Sequence, residues 1–150
     1  MKLVLESTVA ADRERVFAAL VNPAILQRCI PGCESLTATG DDSYAATLKI
    51  GVAGLKGTYT GKAAITNRQA PDSMTISFDG KGGPGFVRGG AALAFTADGP
   101  GGDNTRVACD ADVQVGGLIA AVGSRLVEAA ARKLADDFFR QLARELEAPA

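Results

Sequence analysis

From Glu34 to Val115, apolar and polar residues alternate with a period of two, interrupted by turn clusters at Thr39-Gly40-Asp41-Asp42, Gly51 to Gly54, Ala70-Pro71-Asp72, Gly80 to Gly85 and Asp98 to Asn104. Alternation marks strands with one buried face, and the five turns separate six strands. One face carries Tyr44, Ala46, Leu48 and Ile50, then Tyr59, Gly61, Ala63 and Ile65, then Met74, Ile76 and Phe78. It continues with Val87, Gly89, Ala91, Leu93 and Phe95, and with Val107, Cys109, Ala111, Val113 and Val115. Lys49, Thr58, Thr60, Lys62, Arg106, Asp110, Asp112 and Gln114 occupy the other face, as expected of an antiparallel sheet wet on one side. Sequential turns make it a meander.

The flanks read differently. Lys2 to Val9 alternate, with Leu3, Leu5 and Ser7 against Val4, Glu6 and Thr8, and predict a further strand. Asp12 stands where a side chain can cap a helix spanning about 12–21, in which Val16, Phe17, Leu20 and Val21 share a side. Asn22-Pro23 ends that helix and opens a second short one carrying Ile25, Leu26 and Ile30, closed by Pro31-Gly32. Gly116 to Leu146 reads as one long helix, roughly 30 residues and about 45 Å. Val127, Ala131, Leu134, Ala135, Phe138 and Leu142 form its apolar stripe, opposite Lys133, Asp137, Arg140 and Arg144. In its first half Leu118, Ile119, Val122, Leu126 and Ala129 lie on the side that becomes charged later, so both sides are apolar there. Such a half-helix is either covered by other elements or forms a cavity wall or partner surface.

A sheet must cover its apolar face, and the last helix is the element long enough to do it. The predicted fold is therefore α+β: a curved seven-stranded antiparallel sheet gripping a long C-terminal helix, with two short helices after strand one. The inner face pairs small residues (Gly57, Gly61, Ala63, Gly89, Ala91, Cys109, Ala111) with large ones, so it either interdigitates or leaves a void. A void of this lining suits an apolar small molecule. Its candidate lining residues are Phe17, Leu20, Ile30, Leu48, Ile50, Tyr59, Ile76, Phe78, Phe95, Leu118, Val122 and Leu126.

Composition removes whole classes of function. The 150 residues contain no histidine, which excludes Ser-His-Asp and Cys-His nucleophile pairs and HExxH zinc sites. Sixteen Lys+Arg against seventeen Asp+Glu, with no Trp, argue against nucleic acid as a partner. Neither a secretory leader nor an apolar run of membrane-spanning length is present, so a cytoplasmic location is expected. Cys29, Cys33 and Cys109 read as reduced thiols. With no histidine, the C-x3-C pair lacks ligands for zinc, and no metal site is expected; a reversible Cys29–Cys33 disulfide is the remaining alternative to structural thiols. Gly80-Lys81-Gly82-Gly83-Pro84-Gly85-Phe86-Val87 matches a phosphate-cradling glycine pattern, but a strand rather than a helix follows it, so a hairpin tip is expected. Arg125 is a cation in an otherwise apolar half-helix; with Ile119 and Phe86 it is the candidate contact to a partner or membrane.

Five segments stand out in order along the chain: Cys29-Ile30-Pro31-Gly32-Cys33-Glu34-Ser35-Leu36, Gly57-Thr58-Tyr59-Thr60-Gly61-Lys62, Gly80-Lys81-Gly82, Gly116-Gly117 with Gly123-Ser124-Arg125, and Asp136-Asp137-Phe138-Phe139. Together they resemble the CoxG family, the G subunits of carbon monoxide dehydrogenase. The resemblance covers nearly the whole chain and implies a START-like, helix-grip domain over 1–147 with a short tail at 148–150. It further implies a non-catalytic accessory protein with no covalently bound cofactor. Its expected partners are carbon monoxide dehydrogenase or a related molybdenum hydroxylase, and its expected ligand is menaquinone, another quinone or a lipid. Peripheral recruitment to the inner face of the cell membrane is also implied. Longer members continue into a tail that contacts the membrane; this sequence runs to Leu146-Glu147-Ala148-Pro149-Ala150, which would leave membrane contact to Leu118, Ile119, Val122 and the glycine-rich tip. Two other classes stay open. A cyclase or dehydratase would pair Tyr44 or Tyr59, both inward-facing, with a buried acid or base. An adaptor would have a filled core.

Overall fold

The computed structural model describes residues 1–51 and 56–147. Most of the expected turn at Gly51 to Gly54 and the tail at 148–150 lie outside them. In chain order the elements are β1 (Lys2–Val9), α1 (Arg13–Leu20), α2 (Pro23–Cys29), β2 (Cys33–Gly40), β3 (Ser43–Ile50), β4 (Gly57–Gln69), β5 (Ser73–Gly82), β6 (Gly85–Asp98), β7 (Asn104–Gly117), α3 (Leu118–Ala121) and α4 (Ser124–Glu147). A short 3-10 turn at Pro100–Gly102 joins β6 to β7. The seven strands form one curved antiparallel sheet in the order β1-β7-β6-β5-β4-β3-β2. Strands two to seven are the expected meander, and β1 returns to pair with β7 from Lys2↔Asp112 to Val9↔Thr105.

Alternation does place the apolar set on the concave side. Tyr44, Ile50, Tyr59, Ile65, Met74, Leu93, Phe95, Val107 and Val113 are all buried, whereas Lys49, Thr58, Lys62, Asp110 and Gln114 are exposed. Burial of the first set removes apolar surface from water at about 25 cal/mol per Å², which fixes the register, because a one-residue slip would expose it.

The short helices are held by polar contacts as well as packing. Asn22 caps α2 by accepting from the backbone N–H of Ala24 (3.0 Å) and Ile25 (3.4 Å), with Pro23 at its first turn. Asp12 occupies the N-cap of α1 with an extended backbone, but its side chain makes no capping bond, contrary to the sequence expectation. Thr105, the buried polar side chain of the core, donates its hydroxyl to the Ala11 carbonyl at 2.7 Å and so pins the β1–α1 connection to β7.

The C-terminal region departs from the single long helix. β7 runs on through Gly117, α3 has only four residues, and the chain breaks at Gly123 before α4 begins. Gly117 (φ 72°) and Gly123 (φ 96°) both lie in the left-handed region, which glycine enters without steric cost and which ends helical continuity. α4 therefore has 24 residues, about 36 Å at the usual rise per residue.

Candidate ligand-binding site

Three groups of buried side chains hold α4 to the sheet. At one end, Phe17 and Leu20 of α1, Cys29 of α2, Met74, Phe95 and Val107 of the sheet, and Leu142 and Leu146 of α4 pack together. Phe17 and Phe95 meet edge to face, ring centroids 5.8 Å apart and planes at 77°. At the other end, Ile50, Tyr59, Ile119, Val127 and Ala130 form a second group. Leu3, Ala111 and Val113 form a third toward the β1 edge.

Between these groups the concave face is only half-buried. One row across it reads Tyr44, Ala63, Phe78, Gly89, Val113; the next reads Ile65, Ile76, Ala91, Ala111, Leu3. A third, Ala46, Gly61, Gly80, Val87 and Val115, is made largely of small residues. Ala46, Leu48, Gly61, Ala63, Ile76, Phe78, Gly89, Ala91 and Cys109 all keep partial solvent access, although they point toward α4. Leu134 and Phe138, in the middle of the α4 stripe, are also half-buried, whereas Val127, Ala130, Leu142 and Leu146 near its ends are buried. Side chains ending at Cβ or Cα do not reach a helix about 10 Å away, and the half-accessible apolar surface that they, Leu134 and Phe138 share is the gap between sheet and α4. Burial raises the Tyr59 phenol and the Cys109 thiol above their ordinary ranges, with Asp110 adding to the effect at Cys109.

The sequence-derived residues divide accordingly. Leu48, Ile76 and Phe78 border the gap; Ile50 and Tyr59 close one end of it. Phe17, Leu20 and Phe95 are packed into the core of the other end, below the helix pair. Ile30 is half-buried at the α2 C-cap, where its carbonyl accepts from the Cys33 N–H at 3.1 Å; that is a turn position rather than a gap position. Leu118, Val122 and Leu126 are 69%, 42% and 41% exposed, and so stand outside at the rim instead of lining the interior. Ile119, expected on the surface, is completely buried. For Leu118, Val122 and Ile119 the reversal follows from the break at Gly123, which puts α3 out of phase with α4; Leu126 lies within α4, exposed beside buried Val127. Arg125 is exposed at the start of α4. Phe86 lies on the convex face, half-buried over Gly116, with the Arg88 guanidinium 4.4 Å above its ring. Leu134 and Phe138 belong to the gap although their stripe reads simply as core; its mid-helix position opposite glycine and alanine rows was the available signal.

Other features carry less. The Gly80–Gly85 segment is a hairpin tip, as expected: Gly82 pairs with Gly85, and a Cβ on Gly82 would meet the Thr58 carbonyl oxygen at 2.1 Å. Cys29, Cys33 and Cys109 are free thiols. Among the described residues no group of three or more His, Cys, Asp or Glu side chains comes together to hold a metal ion. Two open hollows of about 380 and 370 Å³ have walls of mixed character, one with Phe78, Gly89, Asp79, Arg88, Asp112 and Gln114, the other with Tyr44, Ala63, Phe78, Ser43, Lys62 and Ser77. Their charged side chains belong to the outward positions of the strands, while Tyr44, Ala63, Phe78 and Gly89 belong to a row of the concave face.

Charge is divided along the molecule. The connections 49–58, 80–88 and 113–127 contain Lys49, Lys56, Lys81, Arg88 and Arg125 and no acidic residue. The turns at the opposite ends of the strands carry Asp41, Asp42, Asp72, Asp98 and Asp103, of which Asp42, Asp72 and Asp98 pair with Arg68, Arg13 and Arg106. The rim of exposed Leu118, Val122 and Leu126 therefore lies at the cationic end.

A profile of the CoxG family, the G subunit of carbon monoxide dehydrogenase, matches residues 6–147. The chain belongs to the CoxG family. A conserved protein from Geobacillus kaustophilus has a solved structure similar to this CoxG-family chain, with 32% identity over 98% of this chain and 95% of that one and a TM-score of 0.93. A START superfamily protein from Mycobacterium smegmatis aligns over 97% of both chains at 15% identity with a TM-score of 0.72, and shows the fold alone. No curated protein matches the chain significantly. The fold of this CoxG-family member is thus START-like, a helix grip over a curved sheet, as its sequence predicts.

Proposed function

We propose that this CoxG-family chain is a non-catalytic accessory protein that carries an apolar molecule, a quinone such as menaquinone or a lipid, in the gap between the sheet and α4. The observation that carries this reading is the half-accessible apolar surface of Ala63, Ile76, Phe78 and Ala91 on the sheet and of Leu134 and Phe138 on α4, between buried groups at either end. Apolar walls with few polar anchors favour such a ligand. Family membership supports a molybdenum hydroxylase of the carbon monoxide dehydrogenase type as the partner. The exposed apolar rim with its cationic surroundings supports peripheral membrane contact. No helix among the described residues is long and apolar enough to cross a membrane, which is compatible with peripheral attachment.

Native mass spectrometry of the purified protein, followed by solvent extraction, tests the reading. A prenylated ring or lipid at near one-to-one ratio is expected. An apo mass that stays unchanged with added menaquinone would overturn it in favour of an adaptor with a filled core.

A further inference from the structure

The two ends of the gap are closed in different ways. At the helix-pair end, the Tyr44 hydroxyl donates to the Val21 carbonyl (3.4 Å), Arg13 pairs with Asp72 (2.7 Å), and Arg28 pairs with Glu145. These contacts tie α1 and α2 to the sheet and to α4. At the other end the closure is a side chain of α3: Ile119, completely buried between Ile50 and Tyr59 of the sheet and Val127 and Ala130 of α4. Its neighbours Leu118 and Val122 remain 69% and 42% exposed, so α3 drives one residue inward and leaves the rest outside.

α3 is also bounded by glycines at both ends. Gly117 and Gly123 flank its four residues, with φ of 72° and 96°. No atom lies within 4 Å of the Cβ position of Gly123, so nothing packs against that joint. A backbone bond from the Ile119 N–H to the Pro84 carbonyl (3.0 Å) ties α3 to the β5–β6 tip. Gly117 is packed on the β5–β6 tip, where a Cβ would meet the Gly85 Cα at 2.8 Å, so withdrawing Ile119 means opening its bond to Pro84 and turning Gly117 at the end of its pairing with Gly85, a rotation that glycine makes among backbone regions closed to other residues.

We infer that α3 is the door by which an apolar ligand reaches the gap, with Ile119 as the stopper and Gly117 and Gly123 as the hinges. This rests on the ligand-binding reading above and adds the route to it. Exposed Leu118, Val122 and Leu126 surround the door and give an apolar molecule contact on its way in.

The probe is N-phenyl-1-naphthylamine, an uncharged fluorophore, followed by stopped flow. Pro84→Cys and Leu118→Cys, in a Cys33→Ser background, place two thiols beside the Gly85↔Gly117 pair, and their disulfide holds α3 shut. The oxidised protein is expected to take up and release the probe roughly tenfold more slowly than the same protein after reduction, with unchanged equilibrium occupancy. Ile119→Ala, which removes the stopper, is expected to exchange the probe roughly tenfold faster than wild type. Equal rates for oxidised and reduced protein would overturn the door and leave the ligand-binding reading standing. Failure of the wild-type protein to bind the probe would overturn both.

Discussion

Burial pushes the Cys29 thiol up to about 11 from an ordinary 9.0, with Glu145 adding to the rise and Arg28 opposing it. Cys33, Cys109, Tyr44 and Tyr59 are raised as well, each chiefly by burial. A group raised on folding keeps its proton longer in the native state than in the unfolded chain. Its contribution to stability is complete below the unfolded value, declines as pH rises through it, and is gone once the folded thiol ionises. For Cys29 that window runs from about pH 9 to about pH 11, at up to about 1.4 kcal/mol per pH unit. Urea denaturation at pH 8 and pH 10.5 should show the loss, and Cys29→Ala should flatten it by Cys29's share. At this scale the sequence was legible wherever alternation held, as at Tyr44, Tyr59 and Phe78. It was not legible at Ile119 and Leu118, because two glycines reset the backbone direction and no helical wheel drawn through them keeps its phase.

Among the elements, the gap arises from a mismatch between a continuous helix stripe and a sheet whose facing rows change in size. Leu134 and Phe138 are large enough for a core yet stay half-buried, and Gly61, Ala63, Gly89 and Ala91 on the concave rows are too short to reach across to a helix. Filling the space from the sheet side should therefore exclude ligand without harming the fold. Ala91→Phe, in the row between Ile76 and Ala111, is expected to weaken N-phenyl-1-naphthylamine binding at equilibrium by roughly tenfold or more while stability stays within about 1.5 kcal/mol of wild type. A titration and a urea melt on the same preparation check both halves. The seven strands, the two short helices and the apolar stripe could all be read from periodicity. The gap could be posed only as one of two options, since residue size along a row shows a mismatch but not the distance at which the helix settles.

For the whole molecule, a net charge of -1 conceals a division between a cationic apolar end and an end where aspartates pair with arginines. Net charge alone would predict indifference to an anionic bilayer, whereas the division predicts binding in one orientation. Co-sedimentation with phosphatidylglycerol-containing vesicles at low salt is expected, weakening as salt rises and absent with phosphatidylcholine alone. Lys81→Glu combined with Arg125→Glu reverses two of the charges near the rim and should cost at least tenfold in vesicle affinity, at about 1 kcal/mol per basic residue lost, with probe binding unaffected. The fold was legible at this scale because element order leaves one way to cover the sheet. The polarity was not, because it needs to be known which turns share an end.

The pairing of β1 with β7 bears also on how the chain reaches this state. Strands β2 to β7 can zip together hairpin by hairpin, each closing a short loop, but Lys2 meets Asp112 and Val9 meets Thr105 only across most of the chain. Closing so long a loop is entropically costly before any contact repays it, and folds dominated by such pairings are slow. A nascent chain would thus hold a half-formed meander with its concave apolar face uncovered until the final strand and α4 arrive, and during that interval the hollow that later receives a ligand would be open to any apolar partner, another copy of the chain included.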